Sequence, residues 1–125
     1  KTLLSAPDDA EATLHLASIY RKIGKLAEAR DLLLKGTAII TDNPDLWYEL
    51  GVVHSDLANY QPAVDAFSRA LKFTRSAEQK QQTLYYIGIA HLTARNFASF
   101  KTTLEQLDQH SDYYPALKNL GELGN

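Results

Sequence analysis

The chain has 125 residues and a formal net charge of −2, with 45% apolar and 22% charged residues, as is usual for one folded domain. This charge gives no field that attracts nucleic acid or an anionic membrane, and the absence of cysteine excludes disulfides and thiolate zinc sites. No apolar run approaches the roughly 20 residues that span a bilayer.

The chain opens with KTLLSAPDD, which has neither a starting Met nor the layout of a signal peptide. This opening predicts a piece taken from a longer protein. The compartment stays open between the cytoplasm and the periplasm.

Residues 10–77 contain a 34-residue repeat in which small side chains align with small ones and large with large. Each unit predicts two amphipathic helices joined by a turn, which falls at residues 58–59 in the second unit. In that unit Gly51, Ala63 and Ala70 are expected to be buried, because small residues let two helix axes approach to about 8–10 Å. Asn59 is expected to cap the second helix of the unit.

A third unit follows after a shift of 37 residues, which places Gly88 in the position of Gly51. The three extra residues lie in TRSAEQK, where Ser76 followed by Gln79 predicts a helix start. Phe100 and Leu107 stand where the other units have small residues, so the packing of the third hairpin is expected to differ. The final ALKNLGELGN predicts the start of another helix of the first type.

The pattern Trp-x2-Leu-Gly followed by Ala-x3-Phe-x2-Ala resembles the tetratricopeptide repeat, and this resemblance covers essentially the whole chain. It implies an all-α fold, a right-handed superhelix (solenoid) of antiparallel helix hairpins with about three repeats and partial flanking helices. The implied divisions are the end of a preceding repeat (1–9), repeat 1 (10–43), repeat 2 with an extended linker (44–80), a divergent repeat 3 (81–113) and the start of a further helix (114–125).

Four histidines raise the question of a metal site or a general base. His54 and His91 occupy equivalent positions in adjacent units, so we expect them roughly 10 Å apart, too far to share a zinc ion bound at about 2 Å. They are interpreted as packed core residues, and His15 and His110 as surface residues. Ser55 points about 100° away from His54 on a helix, and no orienting carboxylate is evident. No catalytic residue, metal or cofactor is therefore expected.

The resemblance further implies that the first helix of each unit lines a concave groove. The expected groove residues are Leu14, Ser18, Arg21, Lys22, Tyr48, Val52, Ser55, Tyr85, Ile89 and Leu92. Related modules that bind acidic chaperone tails use Lys, Arg and Asn at these positions, which here are mostly apolar or aromatic. We therefore expect a peptide or helix with apolar anchors, and no nucleic acid or membrane partner.

Two details of this groove follow from its residues. The rings of Tyr48 and Tyr85 are expected to be partly exposed and to lie outside the hairpin core, and Arg21 and Lys22 are expected to form a weakly basic edge. The alternative is that the apolar groove residues pack between successive first helices and are not available to a partner.

The sequence thus favours a non-catalytic protein–protein interaction module. Two alternatives stay open. One is an accessory array that recruits substrate to a larger enzyme. The other is a structural array that self-associates as a homo-oligomer through ends that lack polar caps.

Overall fold

The computed structural model describes residues 9–123, which form seven α-helices and no strand, and the all-α fold class is confirmed. The expected end of a preceding repeat, apart from Asp9, lies outside the described residues. The helices are α1 (Ala10–Lys22), α2 (Leu26–Ile39), α3 (Pro44–Asp56), α4 (Tyr60–Phe73), α5 (Ala77–Thr93), α6 (Phe97–Gln106) and α7 (Tyr113–Leu123).

Neighbouring helices pair as hairpins, α1 with α2, α3 with α4 and α5 with α6, while α7 packs on both helices of the third hairpin. The first helix of each hairpin begins at a side-chain cap. Asp9, Asn43 and Ser76 each accept a hydrogen bond from a backbone N–H in the first turn, which satisfies donors that the helix leaves free. The helix start predicted at Ser76 is confirmed.

The second helices begin without a side-chain cap, and the expected capping by Asn59 is wrong because its side chain makes no such bond. The turn before each of them is set by the backbone instead. Gly24, Ala58 and Arg95 occupy the same place in successive repeats, with φ of 82°, 62° and 63°. The next residue of each repeat donates its N–H to the carbonyl oxygen five residues earlier, at 2.8 Å in all three turns. A left-handed residue followed by such a bond is a common way to end a helix.

Small residues bring the helices together as the repeat predicted. Ala63 and Ala70 are fully buried. A β-carbon on Gly51 would lie 2.6 Å from the ring of Phe67, which is itself fully buried. The small residue on α3 therefore makes room for the large one on α4.

The third hairpin departs from the first two. The helix α5 has 17 residues, against 13 in α1 and in α3, because the interval after α4 spans only residues 74–76 and the inserted residues lengthen the next helix. The helix α6 has 10 residues and ends before Leu107, which is buried outside it. Phe100 packs on Gly121 of α7, whose β-carbon would lie 2.6 Å from the ring.

Candidate functional site

The ten residues predicted to line a groove lie on α1, α3 and α5, and we call their common surface the first-helix face. Lys22 is exposed and the other nine are half-buried. Ser18 and Ser55 contribute short side chains to it. Intermediate burial means that each residue contacts the fold and also presents part of its surface to solvent.

At the α1 end of this face an ion pair joins two first helices. The Nε atom of Arg21 donates to Oε2 of Glu49 on α3 at 2.9 Å, and the two side chains are 35% and 15% exposed. The guanidinium charge is thus compensated within the fold. The expectation of a basic edge made by Arg21 and Lys22 is therefore wrong for Arg21. Leu14, also on α1, packs against the cluster that contains Leu50.

Tyr48 lies closer to the core than the sequence predicted. Its ring centroid is 5.7 Å from that of Phe67 on α4 and 5.8 Å from that of Tyr86 on α5. The expectation that Tyr48 lies outside the hairpin core is wrong, because Phe67 is a central residue of that core. Burial, and next the neighbouring Tyr86 hydroxyl, raise the pKa of Tyr48 well above its usual value. Val52 packs against the same cluster.

Tyrosine rings continue from this point across three helices. Tyr85 lies 5.5 Å from Tyr86 and 5.5 Å from Tyr113 of α7, measured between ring centroids. We call Tyr48, Tyr86, Tyr85 and Tyr113 the tyrosine row. All four rings are half-buried. Tilted ring pairs at these centroid separations attract each other and add to the stability gained from burial. The row joins α3, α5 and α7 without a break.

Two members of the row were not among the predicted site residues. Tyr86 is next to Tyr85 in sequence, and its contact with Tyr48 depends on how α5 packs against α3. Tyr113 begins α7, and no repeat shift aligns it with another groove residue. Its hydroxyl donates to Oε2 of Glu78 on α5 at 3.0 Å. That hydrogen bond, and next burial, raise the pKa of Tyr113.

Ile89 and Leu92 pack against the cluster that contains Phe100 and Leu117. Leu92 also lines a cleft of about 320 Å³ where α5, α6 and α7 meet, together with Phe97, Phe100, Lys101, Leu104, Lys118, Gly121 and Glu122. This end of the first-helix face is thus continuous with a second surface that includes exposed Phe97.

The repeat predicts His54 and His91 in the core, and the structure buries His54 but not His91. His54 is 8% exposed, and its Nδ1 atom has no hydrogen-bond partner. Burial, and next the charge of Arg30, lower the pKa of His54. His91 is half-buried, and burial lowers its pKa also. His15 and His110 are exposed.

Residues 9–123 contain neither a candidate metal cluster nor a helix that could span a membrane. No group of three or more His, Asp or Glu side chains there could hold a metal ion. No helix in the same range is long and apolar enough to cross a bilayer.

A family model described as Tetratricopeptide repeat matches residues 10–43 and 44–76, more than half of the chain. Among curated proteins, human protein O-mannosyl-transferase TMTC3 is 33% identical over 67 residues, 53% of this chain and 7% of that protein. Human cell division cycle protein 16 homolog is 34% identical over 61 residues, 49% of this chain and 10% of that protein. The chain thus spans a tenth or less of the curated relatives it matches.

Solved structures of MamA show the same fold. One aligns with a TM-score of 0.73 and 20% identity, over 98% of this chain and 67% of that chain. A second aligns with a TM-score of 0.68 and 23% identity, over 83% of this chain and 57% of that chain. At this level of identity the likeness concerns the arrangement of the helices alone.

Proposed function

The chain belongs to the tetratricopeptide repeat family, and on that premise we propose that it is a non-catalytic protein-interaction module that holds a peptide or an amphipathic helix across its first-helix face. Family membership supports the general class. The choice of face rests on the residues of α1, α3 and α5 and on the tyrosine row.

The observation that carries this proposal is the continuity of the tyrosine row. Half-buried tyrosines keep one side of the ring packed on the fold and leave the rest available to a partner. Such rings supply large contact area at low cost in conformational entropy, and tyrosine is enriched among residues that dominate binding energy. Because Tyr48, Tyr86, Tyr85 and Tyr113 span three helices, a partner that lies along them contacts successive repeats at once.

The test is selection of binders from a random peptide library displayed on phage, with the 125-residue chain as bait. The Ser55→Arg variant then places a long side chain over the first-helix face without removing any packed apolar group. The control is Ser68→Arg, which adds the same charge at an exposed position on α4. We expect the selected peptides to bind Ser55→Arg about tenfold more weakly and to bind the control like the parent.

A second variant removes contact area rather than adding bulk. Tyr85→Ala is expected to weaken binding by at least about tenfold, the loss typical of a well-packed interface tyrosine. A melting curve for each variant separates lost binding from lost folding. Peptides that bind the parent, Ser55→Arg and a folded Tyr85→Ala equally would place the binding surface elsewhere.

Self-association is a second candidate function, and the exposed apolar residues of α1 favour it. Ile19 and Ile23 correspond, one repeat earlier, to Val53 and Leu57 of α3. Val53 is fully buried in a cluster with Leu33 of the preceding hairpin. Ile19 and Ile23 are 41% and 60% exposed. The helix α1 thus presents the kind of surface by which an inner first helix docks on its neighbour.

We infer that a second copy covers this surface through its own α6–α7 end, where Phe97 and Leu123 are 44% and 83% exposed. A contact between two different ends can extend head to tail. Sedimentation velocity is expected to show association that increases with concentration and is lost in Ile23→Lys. The control is Leu34→Lys on the exposed side of α2. Sedimentation that does not change with concentration would refute this second function.

A further inference from the structure

Carboxylates lie at the Tyr113 end of the tyrosine row, near the first turn of α5 and the loop that precedes α7. Oε2 of Glu78 accepts the hydrogen bond from the Tyr113 hydroxyl at 3.0 Å. Asp112 directly precedes Tyr113. The side chains of Glu78 and Asp112 are exposed. An aromatic surface with such a rim is complementary to a positively charged partner.

A cleft opens at the same end of the row. It has a volume of about 340 Å³ and is lined by Glu78, His110, Ser111, Asp112 and Tyr113. The cleft therefore combines two carboxylates with the edge of a tyrosine that also contacts Tyr85. Its size suits the end of one long side chain, and its charge suits a cation.

Neither Glu78 nor Asp112 forms an ion pair with a Lys or Arg among residues 9–123. The guanidinium of Arg21 is paired with Glu49 on the far side of Tyr48. Lys80 and Arg75 are exposed, and neither forms an ion pair within the described residues. Lys118 lines the other cleft, with Leu92.

We infer that the partner held on the first-helix face is a basic peptide, in which an Arg or Lys lays its aliphatic stem on Tyr85 and Tyr113 and places its charged end between Glu78 and Asp112. This inference rests on the proposed function of that face. A guanidinium or ammonium group gains from aromatic faces and from carboxylate acceptors, while its stem covers apolar surface. The same rim disfavours acidic peptides, because like charges oppose each other across an interface.

The experiment uses three synthetic peptides of about 12 residues with Leu and Phe at the same positions and with Arg, Gln or Glu at all the others. Binding to the 125-residue chain is measured by fluorescence anisotropy at about 50 mM and about 500 mM NaCl. We expect the Arg peptide to bind about tenfold more tightly than the Gln peptide at low salt, and the Glu peptide to bind most weakly. High salt should reduce the difference, since exposed charges are screened.

Two matched double variants locate the effect. Glu78→Gln with Asp112→Asn removes the carboxylates and keeps an acceptor oxygen for the Tyr113 hydroxyl. Glu28→Gln with Glu105→Gln removes the same charge from exposed positions on α2 and α6. The first pair is expected to weaken the Arg peptide about three- to tenfold, in keeping with exposed ion pairs, and to leave the Gln peptide unchanged. The second pair should change neither.

The outcomes separate the inference from the proposed function. Equal affinity for the Arg and Gln peptides, or an equal loss of affinity in both double variants, would refute the basic partner. The proposed binding face would still be supported if Ser55→Arg prevents binding of the Gln peptide. Failure of all three peptides to bind, in a chain that is folded by circular dichroism, overturns the binding face and the basic partner together.

Discussion

The contact between Gly51 and Phe67 sets how closely α3 and α4 pack, and Gly51→Ala tests it. A β-carbon at this position would lie 2.6 Å from two ring carbons of Phe67 and 2.9 Å from a third. Favourable carbon contacts lie at about 3.5–4.0 Å, so the ring has to move by about 1 Å. It has little room to do so, because Tyr48 and Tyr86 lie 5.7 and 6.1 Å from it, between ring centroids.

Two opposing effects decide the change in free energy of unfolding. Replacing Gly by Ala within a helix stabilises by about 1 kcal/mol through intrinsic propensity. Overpacking a filled core costs typically about 1–3 kcal/mol, and the fully buried ring of Phe67 places Gly51→Ala at the upper end. The net expectation is a loss of about 2 kcal/mol. For a chain of this length that corresponds to a fall in Tm of about 8 °C.

The matched control is Gly36→Ala on α2. There the added β-carbon would lie 3.1 Å from the Thr13 methyl group and no closer than 3.8 Å to Leu46. A shift of a few tenths of an ångström relieves this contact, so propensity and crowding should nearly cancel. The assay is thermal and urea unfolding followed by far-ultraviolet circular dichroism.

A third variant identifies the cause of the loss. In Gly51→Ala combined with Phe67→Leu the smaller side chain leaves space for the β-carbon. The double variant should therefore be more stable than the sum of the two single changes predicts, by about 1 kcal/mol or more. If Gly51→Ala melts like Gly36→Ala, the close approach of α3 and α4 through this glycine is refuted.

Three further predictions follow from single residues. Ala58→Gly should stabilise the chain by about 0.5–1 kcal/mol in urea unfolding, because left-handed backbone costs a residue with a β-carbon about 1–2 kcal/mol, whereas the freedom glycine adds to the unfolded chain returns only about 0.4–1 kcal/mol; an unchanged midpoint would contradict it. Because the pKa of His54 is lower in the folded chain than in the unfolded chain, acid protonates the unfolded chain more readily and so favours unfolding. Tm should therefore fall as pH drops below about 6.5, and His54→Leu should make Tm less dependent on pH. Arg21→Gln should cost roughly 0.5–1 kcal/mol, since the pair with Glu49 is partly exposed; a loss that does not shrink in high salt would contradict a screened ion pair.

The positions of small residues allowed most of the fold to be predicted from the sequence. Gly51, Ala63 and Ala70 recur at repeat spacing, and each is buried where two helices meet. Ser76 marked a helix start because its side chain caps the backbone locally. Signals of this kind depend on neighbours in sequence or on an exact repeat, and both are visible in the amino-acid sequence alone.

The candidate site was less predictable, because its contacts join residues from different repeats. Tyr48 was expected to be separate from the core because residues one step beyond a helix's core face usually are. Its ring reaches Phe67 and Tyr86 because α4 and α5 both pack beside α3. Arg21 was expected to stay free because its partner Glu49 lies 28 residues away. No local pattern predicts that α1 and α3 bring the two side chains together.

Large residues pack on glycines differently in the third hairpin than in the second, and this difference positions part of the proposed binding face. In the second hairpin the large residue that fills the glycine position of α3 comes from α4. In the third, Leu117 of α7 packs on Gly88 of α5, and Phe100 of α6 packs in turn on Gly121 of α7. The helix α7 is thereby fixed against both helices of the hairpin. Its first residue, Tyr113, is then held beside Tyr85 and Glu78. The large residue at position 100, which departs from the repeat, thus helps to hold the helix that completes both the tyrosine row and the cleft proposed to receive a basic side chain.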